Sequence, residues 1–183
     1  MSDKQKYILI TGGAGYIGSV VVESLIAKGY SIIVIDDLRD GKRSAVSTDT
    51  IFFKNDFGYE NVLEDIFNNY NINTVMHFAA LANVPLSVKQ PSEFYHNNVI
   101  GSINLFNMMV KYKIPNVIFS STAAVYGEPK YTPMDENHPL EPINPYGNSK
   151  LMVENILADY AKAYGLKYVA LRYFCAAGAT ECN

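Results

Sequence analysis

Tyr146 and Lys150 stand four residues apart in Tyr146-Gly-Asn-Ser-Lys150, so a helix would set a phenol and an ammonium on one face, one turn apart. Such a pair meets a chemical need. A tyrosine whose pKa is about 10 is a poor base at neutral pH, and an adjacent positive charge favours the phenolate. Lowering that pKa to about 7 takes about 4 kcal/mol. Thr122 follows Ser120-Ser121 at the end of a strand-like run. Its hydroxyl both accepts and donates, which suits carrying a proton between a substrate hydroxyl and Tyr146. With 14 tyrosines in the chain, chance supplies a second Tyr-x-x-x-Lys at Tyr126-Gly-Glu-Pro-Lys130. Pro129 disfavours a helix there, so those two side chains need not share a face. Tyr146 and Lys150 open a clean helix after Asn144-Pro145 and alone suit the chemistry.

Nearer the amino terminus, residues 11–19 read TGGAGYIGS, with Gly12, Gly15 and Gly18 in a G-x-x-G-x-x-G pattern. The run lies between a strand-like and a helix-like segment. There glycines permit a tight turn and close backbone approach to a pyrophosphate, and the first turn of the helix attracts the anion. The next strand ends at Asp36, eighteen residues past Gly18, where a carboxylate can bond a ribose 2′-hydroxyl. Asp37 follows directly, and two carboxylates would oppose a 2′-phosphate. The pattern predicts a bound dinucleotide, NAD in preference to NADP. Oxidised nicotinamide carries positive charge and would add to the effect of Lys150 on Tyr146.

These groups need a scaffold. Apolar runs of strand length alternate with segments of helical period, which predicts a parallel sheet with crossover helices. Residues 6–11 (KYILIT) are nearly continuous in apolar character and read as a buried strand. A helix is expected over 16–28, ended by Gly29, and a second strand over 31–36, rich in β-branched residues. A short strand at 50–55 precedes a helix at 59–70, with Val62, Leu63, Ile66 and Phe67 on one side. Residues 74–79 form the fourth strand, and a long helix over 91–113 opens on Pro91. The fifth strand covers 116–121. Residues 126–145 contain five prolines and read as a long loop, the kind that is often functional. A helix over 146–164 and a strand over 167–174 complete the pattern. Residues 1–183 thus read as one doubly wound α/β unit with strand order 3-2-1-4-5-6, its ligand expected at the carboxyl ends of the strands.

Composition narrows the class. With 49% hydrophobic residues the chain can bury a full core, and a net charge of −3 with scattered Lys and Arg argues against nucleic acid. Cys175 and Cys182 are too few for a disulfide framework. His77, His96 and His138 lack metal-ligand spacing among themselves or with those cysteines. The amino terminus has too short an apolar run for a signal peptide, and no stretch approaches a membrane span. The reading is a cytoplasmic protein with no metal and no membrane partner.

Together these residues resemble the extended short-chain dehydrogenases/reductases. HFAA at 77–80, NNV at 97–99, SSTAAVYGEP at 120–129, PYGNSKLMVE at 145–154 and LRYF at 171–174 are similar to that family's successive signatures. The resemblance spans essentially the whole chain. It implies a Rossmann fold with Tyr16 and Ile17 at the cofactor phosphates and Asp56 and Phe57 around the adenine. It also implies that Phe78, Ala79, Ala80, Leu81, Ala82, Asn97 and Phe174 line the cofactor, and that Thr122, Tyr146 and Lys150 are catalytic and touch it.

Nucleotide-sugar 4,6-dehydratases of the family usually carry Asp-Glu directly after the catalytic Thr, where this chain has Ala123 and Ala124. Elimination of water would then lack a proton donor. What the resemblance implies is epimerisation at C4 of a UDP-hexose: Tyr146 takes the 4-hydroxyl proton, hydride passes to NAD, the keto sugar turns over, and hydride returns to the other face. The alternatives are an NAD-dependent epimerase of another nucleotide sugar, such as a UDP-uronate, and a non-catalytic NAD-binding module. Cys175 stands where the family usually has an Asn that helps hold the nucleotide sugar, and Ala82 where some members carry a cofactor-contacting Lys. The family normally continues into a substrate-binding part beyond the position of Asn183, so the chain is expected to be the amino-terminal portion of such an enzyme. A homodimer through the helices at 91–113 and 146–164 is a further implication.

Overall fold

A computed structural model of the chain describes residues 5–179; Cys182 lies outside them. Six parallel strands form one sheet: β1 (Lys6–Thr11), β2 (Ser31–Asp36), β3 (Ile51–Lys54), β4 (Asn71–His77), β5 (Asn116–Thr122) and β6 (Lys167–Tyr173). Their order is β3-β2-β1-β4-β5-β6, as the alternation of strand-like and helical segments predicts. The continuous apolar runs have a direct cause. Successive side chains of a strand point to opposite faces, so a strand covered on both sides must be apolar at every position. Leu9, Ile33 and Ile35 face α2 (Glu60–Asn69), α5 (Gly101–Lys111) and α6 (Pro145–Tyr164), packing in one cluster with Leu63, Phe106, Val153 and Leu157. Their neighbours Ile10, Ile32 and Val34 face the other way and pack with Val22 of α1 (Tyr16–Ala27).

The elements differ from the expected boundaries where long-range contacts intervene. β4 begins at Asn71, three residues before the apolar run, because its edge residues pair with Lys6 and Tyr7 of β1. It ends at His77, which leaves Phe78 and Ala79 in the loop beyond. β5 runs through Thr122, which pairs with Tyr173, so Thr122 is the last residue of the strand. The helix expected over 91–113 is broken. α3 (Val84–Lys89) precedes it, capped by Asn83, whose side chain accepts from the Leu86 amide. α4 (Pro91–Phe94) is followed by a π-helical turn at Tyr95–Ile100 before α5 begins at Gly101. Such a turn carries one extra residue and marks a site where a side chain is re-aimed; here it buries Asn98.

The strand order reverses direction between β1, whose successor β2 lies on one side, and β4 on the other. Loops leaving the two strands diverge there and open a crevice at their carboxyl ends. Among the described residues no helix is long and apolar enough to cross a membrane.

Candidate functional site

The crevice is built on glycine. Gly12 takes φ +71, and a Cβ there would lie 2.5 Å from the Ala79 amide nitrogen, so the β1 and β4 loops are in backbone contact. A Cβ on Gly18 would sit 2.2 Å from the Gly12 carbonyl oxygen. Gly15 is different: a Cβ there meets only the Gly12 oxygen, at an ordinary 3.4 Å. Gly12 and Gly18 are required by the protein's own packing, whereas the missing side chain at Gly15 keeps the crevice open. Gly15 is also the N-cap of α1 and brings no side chain to satisfy the first-turn amides. Those donors, with Tyr16, Ile17 and Gly18, border the crevice as a place for an anion.

One end of the crevice is lined by Gly12, Gly15, Asp36, Asp37, Asp56, Phe57, Phe78, Ala79, Ala80, Leu81 and Asn97. Eleven of the residues singled out from the sequence thus meet in one cleft, though they come from five separate stretches of chain. Asp36, 8% exposed, accepts from the Ala14 amide at 2.9 Å and from the Leu38 amide at 2.8 Å. Its carboxylate therefore ties the glycine loop to the end of β2, and half of its four lone-pair positions remain for a ligand.

The other end joins Gly12, Gly15, Tyr16, Ile17, Gly18, Phe78, Ala80 and Ala82 to Thr122, Tyr146, Lys150 and Phe174. Asn144 caps α6 by accepting from the Gly147 amide at 2.8 Å, with Pro145 in the first turn, and so sets Tyr146 at the mouth of the crevice. Burial raises the Tyr146 pKa above the ordinary 10, while the neighbouring Thr122 hydroxyl lowers it. Lys150 does not supply the expected depression in this state. Its ammonium is fully enclosed, donates to the Ser120 carbonyl at 2.8 Å and lies 4.9 Å from the centre of the Phe119 ring. Burial brings its pKa down from 10.5 to about 7.

A sign follows for stability. Between pH of about 7 and 10.5 the unfolded chain holds a proton on Lys150 that the folded chain lacks, so this group makes folding more favourable as pH rises through that window. Below pH of about 7 the buried charge exerts its full cost. Lys150→Met should accordingly raise the melting temperature of the unliganded protein. The gain, on the order of a few kcal/mol, should be largest below neutrality and fade as pH climbs towards the ordinary lysine range. Thermal melts of both proteins from pH 6 to about pH 10 check this; a pH-independent difference would mean that lost packing decides.

Several residues that frame the site lie within the family-like segments of the sequence but gain their roles only in the fold. His77 is buried on β4, with Nδ1 2.6 Å from the Thr11 hydroxyl and Nε2 2.9 Å from that of Ser102. Since Ser102 gives its proton to the Asn98 carbonyl, Nε2 donates to Ser102 and Nδ1 accepts from Thr11. Burial, with the Lys150 charge nearby, lowers the His77 pKa to about 3, so the ring stays neutral. Asn98 accepts from the Leu81 amide and donates to the Leu81 carbonyl and to Ser149, which in turn donates to the Tyr146 carbonyl. These bonds hold the glycine loop, the 78–81 loop and the Tyr146 helix in one register. Glu154, one turn beyond Lys150, accepts from Ser121 and pairs with Arg172 of β6 at 2.7 Å. The second Tyr-x-x-x-Lys separates as its proline requires: Tyr126 is buried under Arg172, while Lys130 points out to Glu141. Among the described residues no group of His, Cys, Asp or Glu could hold a metal.

A doubly wound parallel sheet, a glycine loop at its switch point and a Tyr-Lys pair facing that loop define a Rossmann-type protein of the short-chain dehydrogenase/reductase class. More narrowly, the chain belongs to the NAD dependent epimerase/dehydratase family, whose profile matches residues 8–183. A UDP-glucose 4-epimerase of Halalkalibacterium halodurans is 49% identical over 172 residues, covering 94% of this chain and 51% of the relative. The crystal structure of UDP-glucose 4-epimerase from Brucella ovis in complex with NAD is 44% identical, with a TM-score of 0.93 over 96% of this chain and 54% of that one. That of the Bifidobacterium longum enzyme with NAD+ and UDP is 37% identical, with a TM-score of 0.92 over 96% and 55%. The chain thus spans about half the length of these relatives.

Proposed function

We propose that the chain is the NAD-binding part of a nucleotide-sugar epimerase that inverts C4 of a UDP-hexose. The observation that carries this reading is the meeting of Thr122, Tyr146 and Lys150 with the glycine loop around one crevice. The open position at Gly15 and the uncapped first turn of α1 suit the diphosphate of a dinucleotide, and Asp36 suits its adenosine ribose. Bound NAD would supply a reversible acceptor for the hydrogen on C4. The chain's own residues move the proton. Thr122, which neighbours Tyr146 in the crevice, relays the proton of the 4-hydroxyl, and Tyr146 holds it until the sugar has turned over. Lys150, buried beside Ser120, would bring positive charge to this side of the crevice in its protonated form. Relatives solved with NAD, and with NAD+ and UDP, support the choice of ligands. No net oxidation results, so the cofactor need not leave between turnovers.

The ligand reading is tested on the chain itself. Isothermal calorimetry should find NAD bound at least about tenfold more tightly than NADP, since a 2′-phosphate meets carboxylates where a 2′-hydroxyl finds an acceptor. Equal affinities, or tighter NADP, would remove Asp36 from its assigned role.

A further inference from the structure

A buried carboxylate stands behind the crevice with no part in the chemistry described above. Tyr146, Lys150 and Glu154 are spaced i, i+4 and i+8 along α6 and share one face. That face meets three consecutive residues at the end of β5. Thr122 neighbours Tyr146, the Ser120 carbonyl accepts from Lys150, and the Ser121 hydroxyl donates to Glu154. Glu154 is only 8% exposed, and Arg172 forks its carboxylate, with Nη2 2.7 Å from Oε2 and Nε 3.1 Å from Oε1. Arg172 stands opposite Ser121 in the register of β5 with β6. Helix α6 and both strands are therefore joined at this carboxylate.

We propose that Glu154 is a positioning residue: its carboxylate, held by Ser121 and Arg172, sets the step between α6 and the end of β5 that places Tyr146 against Thr122. The assignment rests on the proton-relay reading of that pair. Stability is a poor account of the ion pair. Taking two charges out of water is costly, and an apolar pair of similar volume often stabilises as well or better. Val153 and Leu157 already hold α6 on the sheet by apolar contact. Such contacts have no direction, and a helix can settle on them over a range of positions. A forked carboxylate–guanidinium pair accepts one geometry. Proton transfer needs one, since a displacement of about 1 Å at the reacting groups costs about 10²-fold in rate. Burial alone lowers the Lys150 pKa, so Glu154 acts through geometry and not through its charge on that ammonium.

The test is a coupled assay for UDP-galactose conversion in a full-length context, with melting temperatures measured beside it. Glu154→Met combined with Arg172→Met removes both charges and should melt within about 5 °C of the parent, or above it. Its kcat should nevertheless fall about tenfold or more, with KM and NAD affinity within about threefold. A parent-like kcat in that variant, or a loss confined to KM, would show that the pair serves stability or binding and overturn the assignment. Glu154→Gln, which leaves Arg172 in place, should lose kcat alike; a parent-like value there would give the effect to Arg172 and overturn the role of Glu154. Val153→Ala, on the same turn but in the core, is the control for lost stability. It should melt lower yet keep kcat within about threefold. If kcat follows melting temperature through all the variants, the assignment falls. A parent that binds NAD without converting the sugar removes the proposed function and this assignment together. An active parent with unaltered variants removes the assignment alone.

Discussion

Tyr146→Phe should cut epimerisation by about 10³-fold or more while leaving NAD affinity nearly intact, when introduced in a full-length context. The ring still packs at the start of α6, because Asn144 caps the helix through the Gly147 amide and not through the phenol. Only the hydroxyl is lost, and with it the group beside Thr122. Without that acid and base the 4-hydroxyl proton has no destination. Tyr126→Phe is the matched control. That hydroxyl accepts from Arg172 at 3.2 Å and does not line the crevice, and the ring keeps its place beneath the guanidinium. Turnover should stay within about threefold of the parent. A coupled assay for UDP-galactose conversion compares the two variants. If they lose activity alike, helix placement was the wrong criterion for choosing between the motifs.

Gly18→Ala and Gly15→Ala should part company just as sharply, the first in stability and the second in ligand binding. The new methyl at 18 would fall 2.2 Å from the Gly12 carbonyl oxygen and 2.9 Å from the Gly13 Cα. Both are backbone atoms of a loop already held by the Ala79 contact, so neither can yield cheaply. Overpacking of this kind costs about 3 kcal/mol or more, which for a domain of this size lowers the melting temperature by roughly 10 °C. At 15 the backbone is at φ −79, open to any residue, and the methyl meets one atom at 3.4 Å. Stability should change by less than about 1 kcal/mol. The methyl instead projects into the crevice where a diphosphate would lie, and NAD affinity should fall by about tenfold or more. Melts with and without NAD separate the two. Equal losses of stability would mean that Gly15, too, serves packing.

Much of this protein is legible in the chain because the signals are local. Continuous apolar strands, glycine at every third position after β1, an aspartate at the end of β2 and an Asn-Pro start to the Tyr146 helix each work within a few residues, and each sits where the spacing places it. The order of the strands follows from those signals too, since parallel strands joined by right-handed crossovers leave few other arrangements. Tertiary structure decided what depends on burial and on partners distant in sequence. Thr11 and His77 are 66 residues apart, and only the pairing of β1 with β4 makes a buried, neutral histidine of the second. Asn98 interrupts a helix of ordinary composition because its amide finds Leu81 and Ser149 across the fold. Spacing alone puts Lys150 beside Tyr146. The Ser120 carbonyl and the Phe119 ring, reached only once β5 packs under α6, draw the ammonium inward and lower its pKa. Adjacent aspartates look alike in the chain, yet β2 ends on the first, buried among backbone amides, and the second lies beyond the strand, in solvent, where it holds Arg39.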